Sequence, residues 1–371
     1  MKTVLIKANT IVKSTFGGEK YVSGVGRSTY MLLEALSKLP SLPFKVKLYA
    51  SGINSIFHKN ELPFSYHTFP VPQRFGVSAE AVYERNLISH DLLHIPHNFD
   101  NVAWNDRFVV TMHDTCLYDI SKERGDNAML HLWEETAKRS KGIITCSESS
   151  KNDIIDRFGV KADKISVIPW AVSHNLFKVL SDEIVTECLA SLKINSPYFL
   201  SVSCSKKRKN ILNLLKAYQV LRQMEKDAPK LVLLWNNPPT SILTEFSKEI
   251  EEGSVVFLST VSDNDLVCLY NGAVATLFPS RYEGFGFPIL ESFACDTPVM
   301  TCRNSSLAEV GGDAAYYVGE DDIEEMAHCM LSFIDSTFNE KQNRQQRKEQ
   351  LAKFSWEKTA QKYVDFYERY L

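Results

Sequence analysis

The chain has 371 residues, enough for two domains of ordinary size with a core in each. A hydrophobic fraction of 44% and a charged fraction of 23% are typical of a globular protein rather than of a disordered or membrane-spanning chain. Since the net charge is −3, the composition argues against general nucleic-acid binding, which requires a dominant basic surface.

Strand-like and helix-like segments alternate along both halves of the chain, which predicts two parallel α/β sheets. Apolar runs in the first half predict strands at 3–8, 45–50, 92–95, 108–112, 142–146 and 165–168. After a polar segment near 170–196, the pattern restarts and predicts strands at 197–202, 230–235, 254–258, 273–278, 298–301 and 314–318. We therefore expect a first domain over 1–175 and a second domain over 176–355. An amphipathic helix is expected over 356–371.

Cysteine usage and the N-terminal sequence indicate the compartment. The eight cysteines are scattered without a C-x-x-C pair, which favours reduced thiols in a cytoplasmic protein. The sequence begins directly with a predicted strand and shows no signal-peptide pattern. The first 185 residues carry 22 basic and 20 acidic side chains, so a weak basic patch there is compatible with peripheral contact at the inner face of a membrane.

A glycine pair lies between the first predicted strand and the helix that follows it, in Ser23-Gly24-Val25-Gly26-Arg27-Ser28. Glycines at such a junction let a diphosphate or an acceptor approach the main chain closely. A bare G-x-G is a weak pattern, and a permissive loop without a ligand is the alternative.

The strand predicted at 108–112 ends in His113-Asp114. Because the carboxyl ends of parallel strands face the crevice where ligands bind, His113 is a candidate catalytic residue. The alternative is a hydrogen-bonded structural pair. His94 and His97 also end a strand, and they either line an acceptor site or serve as structural histidines. None of the nine histidines shows metal-ligand spacing, so we predict no metal site.

A run of four cations, Lys206-Lys207-Arg208-Lys209, follows the first strand of the second half. Adjacent cations repel one another unless an anion neutralises them. A solvated charge run is the ordinary explanation, but the position at a strand end favours phosphate binding.

Two carboxylates, Glu283 and Glu291, flank a turn that contains Gly284 and Gly286 and that opens a helix at Pro288. Proline suits the first turn of a helix, and the unpaired N–H groups at a helix N-terminus attract phosphate. Main chain for a diphosphate and carboxylates for hydroxyls together predict a site for a nucleotide joined to a sugar.

Residues 283–291, Glu-Gly-Phe-Gly-Phe-Pro-Ile-Leu-Glu, resemble the E-x7-E motif of the family-4 retaining glycosyltransferases, which have the GT-B fold. Gly24-Val25-Gly26-Arg27 is similar to another element of that family, and Arg208-Lys209-Asn210 matches the end of its basic element. Four positions depart from the family pattern. Asp296 and Ser203 replace glycines, Lys207 replaces a proline, and Cys204 stands where some relatives have arginine.

The resemblance implies an α/β protein of GT-B architecture, in which two Rossmann-like doubly wound domains face each other across a cleft and the last helix crosses back to the first domain. It assigns Glu291 to the ribose of the donor and Glu283 to the hydroxyls of the transferred sugar. Lys209 would stabilise the departing diphosphate, assisted by Arg208 or Lys206.

Further family roles concern the main chain and the transferred sugar. Gly284, Phe285 and Gly286 would present main chain to the donor, and Val261 would contact the nucleobase through its backbone. His113 would contact the transferred sugar or stabilise positive charge at its reacting carbon. No cofactor other than the donor and no metal is expected.

By this resemblance the chain is a glycosyltransferase that moves a hexose from a nucleotide-diphosphate sugar, GDP- or UDP-linked, to a glycan or lipid-linked acceptor. Mannose is favoured, by similarity to bacterial mannosyltransferases of cell-surface polysaccharide synthesis. Retention of configuration can arise by same-face attack or through a covalent sugar–enzyme intermediate. The alternatives are a catalytically idle sugar-nucleotide-binding subunit, motivated by Ser203 and Cys204, and a GT-B sugar-nucleotide epimerase. Glycoside hydrolysis is disfavoured because both carboxylates are assigned to binding.

Overall fold

The computed structural model describes residues 1–12, 24–58, 61–69, 88–98, 107–194, 197–202, 206–335 and 338–371. These residues divide into two compact units. The first unit contains Met1–Trp170 and Ser355–Leu371, and the second contains Ala171–Phe354. Each unit is built on its own parallel sheet, as the alternating sequence pattern predicted.

A parallel sheet forms the centre of the first unit. Its strands are β1 Thr3–Lys7, β2 Lys45–Ser51, β3 Ser65–Phe69, β4 Leu92–Ile95, β5 Phe108–Thr111, β6 Gly142–Thr145 and β7 Ile165–Val167. They lie in the order β3-β2-β1-β4-β5-β6-β7. The strand order therefore reverses direction between β1 and β4, and the carboxyl ends around such a switch point are where α/β sheets bind ligands.

Helices cover the strands of the first unit. In chain order they are α1 Gly24–Lys38, α2 Asn54–Phe57, α3 Cys116–Glu123, α4 Asn127–Arg139 and α5 Glu148–Phe158. The start of α5 follows from its sequence, because the Ser147 hydroxyl accepts a hydrogen bond from the Ser150 N–H at 3.0 Å. The Ser-Glu-Ser-Ser segment thus sets the start of this helix.

The second unit repeats the plan with a second parallel sheet. Its strands are β8 Tyr198–Ser201, β9 Lys230–Leu234, β10 Val255–Leu258, β11 Ala275–Phe278, β12 Val299–Cys302 and β13 Tyr316–Val318. The order β10-β9-β8-β11-β12-β13 places the switch point between β8 and β11. The loops that follow these two strands are the basic run and the glutamate–glycine turn singled out in the sequence.

The helices of the second unit are α6 Asp182–Ser191, α7 Ile211–Met224, α8 Thr240–Glu245, α9 Ser247–Glu251, α10 Asp263–Gly272, α11 Phe287–Ala294, α12 Leu307–Gly311, α13 Ile323–Ser332 and α14 Glu340–Leu351. A capping box starts α10. The Ser262 hydroxyl accepts the Asp265 N–H, and the Asp265 carboxylate accepts the Ser262 N–H. The Asp263-Asn264-Asp265 segment is thus the start of a helix.

The last helix, α15 Trp356–Tyr370, belongs to the first unit. Its Tyr363, Phe366 and Tyr367 are buried in the core formed by β1, β2 and α1. The Thr359 hydroxyl donates a hydrogen bond to the Pro169 carbonyl at 2.7 Å. The helix therefore supplies part of the hydrophobic core of a domain whose other residues all precede position 171.

The central strands are buried on both faces, which explains their almost unbroken apolar sequences. The edge strand β3 was not predicted. Its sequence, Ser-Tyr-His-Thr-Phe, is only partly buried and lacks the apolar run that marks the other strands. Within the described residues, no helix is long and apolar enough to span a membrane.

Candidate active site

The clearest candidate site lies where β8 and β11 end, at the switch point of the second sheet. The loop after β8 carries Arg208 and Lys209, and the loop after β11 carries Glu283. These segments are more than 70 residues apart in sequence, and the neighbouring strands bring them into contact. The geometry of parallel strands therefore assembles the charged residues.

Glu283 forms ion pairs with both cations of the basic loop. The Lys209 Nζ lies 2.6 Å from Glu283 Oε1, and the Arg208 Nη1 lies 2.6 Å from Glu283 Oε2. Only 9% of the Lys209 and Glu283 side chains is exposed, compared with 32% of Arg208. The cluster carries a net charge of +1, since two cations surround one carboxylate.

The electrostatics of the cluster hold Glu283 in its ionised form. Burial by itself raises the pKa of the Glu283 carboxyl, but the charges of Lys209 and Arg208 and their hydrogen bonds outweigh it and lower the pKa. The Ser280 hydroxyl, fully buried, also donates to Glu283 Oε1 at 2.7 Å. The Lys209 ammonium lies 4.7 Å from the centre of the Phe278 ring, a cation–π contact.

Hydrogen bonds to main-chain carbonyls connect the basic loop with the glutamate–glycine turn and with Glu320. The Arg281 N–H donates to the Arg208 carbonyl at 2.8 Å, and Arg208 Nη1 donates to the Tyr282 carbonyl at 2.6 Å. Asn210 adopts a left-handed conformation with φ of 63° and donates from its amide to the Glu320 carbonyl at 2.6 Å. The positions of Lys209 and Glu283 are therefore fixed by main chain and not by their ion pair alone.

The glycine turn that precedes α11 depends on Gly286. Its φ of 110° lies in the region that favours glycine, and a Cβ there would meet Leu307 Cδ2 at 3.1 Å. The buried Ser306 hydroxyl lies 2.8 Å from the Glu283 carbonyl and 2.7 Å from the Phe285 carbonyl. The turn therefore connects the carboxyl end of β11 to the N-terminus of α11.

The Phe285 side chain does not face the site. Its ring packs against Phe287 at 5.2 Å and against Phe354 at 5.9 Å between ring centres, and the residue is buried. The side chain therefore belongs to the core, and a contact between a donor and the Phe285 main chain stays a prediction.

Glu291, the second carboxylate of the motif, lies buried in α11. The Tyr270 hydroxyl donates a hydrogen bond to Glu291 Oε2 at 2.8 Å. The Tyr270 backbone is fixed in turn, because its carbonyl accepts the Thr297 hydroxyl at 2.6 Å. Tyr270 was not predicted as a site residue, since inside a helix it reads only as a core position.

Asp296 takes over the conformation of the glycine that it replaces. Its φ is 61°, which costs an aspartate more than a glycine. Its carboxylate is paired with the fully buried Arg347 at 2.8 Å and with Arg344 at 2.8 Å. The tight turn that the sequence put in doubt is therefore present, and ion pairs offset its conformational cost.

The first unit places His113 at the carboxyl end of β5. Its Nε2–H donates to the Pro96 carbonyl at 3.0 Å, and its ring lies 4.8 Å from Trp170 between ring centres. The Asn98 amide oxygen accepts the His113 backbone N–H at 2.6 Å. Burial lowers the pKa of His113, although the Pro96 carbonyl and Asp114 oppose this effect. The imidazole is therefore neutral, and within the described residues its buried Nδ1 has no hydrogen-bond partner.

His94 is structural. Its Nε2 lies 2.8 Å from the Thr111 hydroxyl, and its Nδ1 lies 2.8 Å from the Tyr367 hydroxyl. It is completely buried, and this burial lowers its pKa to about 3. The sequence left open whether His94 lines an acceptor site or is structural. The contacts of both ring nitrogens support the structural role.

The remaining predicted residues lie at the ends of elements. Gly24 and Gly26 are in the first turn of α1 rather than in a loop before it, because the helix begins at Gly24. Val261 follows β10 and immediately precedes the cap of α10. Ser203 and Cys204 lie outside the described residues.

The structure thus brings Arg208, Lys209 and Glu283 into one cluster, and Glu291 follows on the helix that the same turn opens. His113, Gly24 and Gly26 belong to the other unit. The groups missed in the sequence are Ser280 and the supporting Tyr270. In the part of the chain that the structure describes, no group of acidic, histidine and cysteine side chains has the arrangement of a metal site.

Comparison with known sequences covers both units. The family described as "Glycosyl transferases group 1" matches residues 190–351, and "Glycosyltransferase Family 4" matches residues 22–176. The O-antigen chain mannosyltransferase B of Escherichia coli is 30% identical over 286 residues, which are 74% of this chain and 72% of that protein. The serotype-specific mannosyltransferase WbdA of Escherichia coli is 25% identical over 96% of this chain but only 47% of its own length.

Solved structures share the fold over the full chain. Sucrose-phosphate synthase from Thermosynechococcus elongatus superposes with a TM-score of 0.75 at 18% identity, covering 100% of this chain and 99% of that one. Anabaena HepE, crystallised with UDP and glucose, gives a TM-score of 0.69 at 15% identity and covers 100% of both chains. These likenesses concern the fold alone, and they confirm the predicted GT-B class with two Rossmann-like domains.

Proposed function

This chain belongs to the family-4 glycosyltransferases and is a glycosyltransferase, and from that premise we propose that it is a retaining mannosyltransferase of cell-surface polysaccharide synthesis. The proposed reaction moves mannose from a nucleotide-diphosphate sugar to a hydroxyl of a glycan or lipid-linked acceptor. The observation that carries the proposal is the buried cluster of Lys209, Arg208 and Glu283 at the switch point of the second sheet.

The cluster suits the departure of a diphosphate. When the bond between the sugar and the diphosphate breaks, the electron pair stays on the leaving oxygen, and negative charge grows there. Lys209 and Arg208, together with the N-terminus of α11, are positive groups fixed before the reaction begins. Such pre-arranged charges lower the barrier directly, because they need no reorganisation during bond breaking.

Both routes to retention use this step in the same way. Same-face attack and a covalent sugar–enzyme intermediate each require the diphosphate to leave first or concertedly. The role proposed for Lys209 is therefore independent of which route the enzyme takes. The cations and the helix N-terminus supply the stabilisation of charge for which other glycosyltransferases use a metal ion.

We assign the donor's ribose to Glu291. A carboxylate accepts two hydroxyl hydrogen bonds, which matches the adjacent hydroxyls of a ribose. The Tyr270 hydroxyl supports this role because it fixes the orientation of the Glu291 carboxylate at 2.8 Å. Val261 and the Gly284–Gly286 main chain complete the proposed donor contacts, at the base and at the diphosphate.

We assign His113 to a hydroxyl of the transferred sugar. Because Nε2–H already donates to the Pro96 carbonyl, the neutral ring offers Nδ1 as a hydrogen-bond acceptor. A sugar hydroxyl is a suitable donor to this buried nitrogen. Of the two family roles, contact with a hydroxyl is therefore favoured over stabilisation of positive charge at the reacting carbon.

The proposed sugar and the proposed nucleotide of the donor rest on different observations. Mannose is supported by the names of the two related Escherichia coli mannosyltransferases. UDP is the nucleotide in the structurally similar Anabaena protein, and the sequence leaves GDP and UDP open as the nucleotide of the donor. GDP-mannose is our first choice, and UDP-hexoses are the alternative donors.

A donor screen tests the proposal. A panel of GDP- and UDP-sugars is added to the protein, and thermal shift is followed, since a ligand bound by the native state raises the melting temperature. The donors that bind are then incubated with lipid-linked and oligosaccharide acceptors, and the product's anomeric configuration is determined by NMR. Transfer of mannose with retention is the expected result.

Three outcomes contradict it in different ways. Binding without transfer to any acceptor supports the idle binding subunit. Interconversion of the donor without an acceptor supports the epimerase. Failure of every nucleotide sugar to bind removes the site assignment itself.

A further inference from the structure

The groups assigned to the donor hold one another in the structure. Glu283 Oε1 accepts from Lys209 Nζ at 2.6 Å and from the Ser280 hydroxyl at 2.7 Å, and Oε2 accepts from Arg208 Nη1 at 2.6 Å. These contacts use three of the roughly four acceptor positions of the carboxylate, which leaves too few for a pair of sugar hydroxyls. The same carboxylate also competes with a diphosphate for both cations.

We propose that the diphosphate of the donor displaces Glu283 from Lys209 and Arg208, and that this exchange delivers the Glu283 carboxylate to the hydroxyls of the transferred sugar. The inference rests on the proposed function, since it requires a nucleotide sugar to bind at this turn. It makes Glu283 both the counter-ion of Lys209 and Arg208 and a positioning group for the sugar.

The physical reason for a resident anion is the burial of Lys209. A cation with 9% of its side chain exposed is costly to bury without a counter-charge. Glu283 supplies that charge while the donor is absent. A diphosphate carries more negative charge and more acceptor oxygens than one carboxylate, so it pairs better with two cations at once. The exchange is therefore favourable only for a ligand that contains the diphosphate.

Arg208 is the cation that an incoming diphosphate meets first. About a third of its side chain is exposed, compared with 9% for Lys209. Its Nη1 also donates to the Tyr282 carbonyl at 2.6 Å, within the turn that carries Glu283. A movement of Arg208 away from Glu283 therefore also changes its hydrogen bond to the peptide group that precedes Glu283.

Ser280 allows Glu283 to leave without stranding a buried polar group. Its hydroxyl has one proton and three acceptors within reach, which are Glu283 Oε1 at 2.7 Å, the Arg208 carbonyl at 3.1 Å and the Tyr282 carbonyl at 3.3 Å. When Glu283 moves, the hydroxyl can turn to the Arg208 carbonyl. Both arrangements of the site are therefore hydrogen-bonded, as buried polar groups require.

The sharpest test is a substitution that should strengthen binding while it weakens catalysis. Glu283→Gln keeps the shape of the side chain but removes the charge that competes with the diphosphate. Binding of UDP and GDP is measured by isothermal titration calorimetry. We expect about tenfold tighter binding, equivalent to about 1.4 kcal/mol, together with a large loss of sugar transfer. Uridine and guanosine, which lack phosphates, should show no such gain.

The matched control is Asp321→Asn. Asp321 lies in the same unit, is 72% exposed and pairs with Arg281 rather than with Lys209 or Arg208. It removes one negative charge from the same domain without removing the competitor, so nucleotide affinity should stay near that of the wild-type protein. An equal gain in both variants would mean a general charge effect and would overturn the inference.

The remaining outcomes separate this inference from the proposed function. If the wild-type protein binds a nucleoside diphosphate and Glu283→Gln binds it equally or more weakly, Glu283 does not compete with the diphosphate, and only the exchange is overturned. If neither protein binds any nucleoside diphosphate or nucleotide sugar, the donor site itself is wrong and both proposals are overturned.

A second measurement uses the wild-type protein and covers the case in which Glu283→Gln does not fold. Lys209 and Arg208 lower the pKa of the Glu283 carboxyl, so its release from them raises that pKa. Donor binding near pH 5 should therefore take up protons. Calorimetry of the nucleotide sugar in buffers of different ionisation enthalpy reports this uptake, and binding without proton uptake would contradict the exchange.

Discussion

The two units share a plan of parallel strands and covering helices but differ in how their most buried polar networks are built. The second unit holds buried ion pairs, which are Lys209 with Glu283 and, after α11, Arg347 with Asp296. The first unit buries Lys7 in β1, but its network around His94 is neutral, with the ring held between the Thr111 and Tyr367 hydroxyls. A neutral hydrogen-bonded network fixes one arrangement, whereas an ion pair can exchange one partner for a charged ligand.

This difference fits the proposed division of labour. The diphosphate carries the charge of the donor, and the positive groups that suit it are in the second unit. The transferred sugar and the acceptor are neutral hydroxyl compounds, and the first unit offers the neutral His113. The following predictions test whether the buried charge of one unit and the neutral network of the other have separate consequences.

The largest expected effect comes from removing the buried cation. Lys209→Met should reduce turnover by about 10²- to 10³-fold, the usual loss for one pre-arranged group that stabilises charge in a transition state. The maximal rate of sugar transfer at saturating donor measures it. Lys207→Met is the control, since Lys207 is exposed in the same loop, and its rate should stay within a few-fold of wild type. Equal losses in both variants would show that Lys209 has no special role.

The neutral network of the first unit should respond to acid. The pKa of His94 is about 3 in the folded protein and close to 6.5 when unfolded, so the unfolded chain binds the extra proton between these values. Its stabilising contribution is complete above pH 6.5 and falls by about 1.4 kcal/mol per pH unit below it. Between pH 6.5 and pH 5 the loss should be about 2 kcal/mol.

Urea denaturation of the first unit at several pH values measures this slope. His94→Gln cannot gain the proton and should flatten the slope, whereas His328→Gln, on an exposed face of the second unit, should leave it unchanged. An unaltered slope in His94→Gln would assign the acid sensitivity to other groups, of which His113 is the first to consider.

Glu291, the carboxylate that we assign to the ribose, should be oriented less well when the Tyr270 hydroxyl is removed. Tyr270→Phe removes the 2.8 Å hydrogen bond to Glu291 and should weaken donor binding by roughly five- to tenfold, equivalent to about 1 kcal/mol, with turnover nearly unchanged. Discrimination between the ribose and 2′-deoxyribose forms of the nucleotide should also shrink. Tyr218→Phe removes another buried hydroxyl of the same unit, bonded to Pro229 and Ser254, and should change neither quantity.

The smallest expected effect concerns Asp296, a counter-charge of Arg347 in the turn after α11. Asp296→Asn keeps a residue type that tolerates the left-handed conformation but removes one counter-charge of the buried Arg347. We expect the unfolding free energy of the second unit to fall by about 1 kcal/mol, since Glu340 still pairs with Arg347. Arg344→Met, which removes the exposed partner of Asp296, should cost less than about 0.5 kcal/mol. The reverse order would mean that the exposed pair anchors the turn.

The sequence was sufficient for features that are encoded locally. Apolar runs located twelve of the strands to within two or three residues, because strands buried on both faces must be apolar throughout. The edge strand β3 was not predicted because half-buried polar strands carry no such apolar run. The same local reasoning located His113 and Lys209, since strand ends and charge are both visible in the chain.

Contacts between distant segments could not be derived in this way. The pairing of Lys209 with Glu283 joins residues 74 positions apart and depends on the adjacency of β8 and β11. Ser280 and Tyr270 act through that geometry, and neither has a local signal beyond a buried position.

The membership of α15 in the first unit has a consequence for biosynthesis. As the ribosome proceeds from the N-terminus, residues 1–170 emerge without the helix whose Tyr363 and Tyr367 fill their core. The second unit, continuous from Ala171 to Phe354, is complete earlier than the first. The first unit can therefore complete its hydrophobic core only after residues 355–371 have been translated. Until then the apolar surface that α15 covers stays exposed.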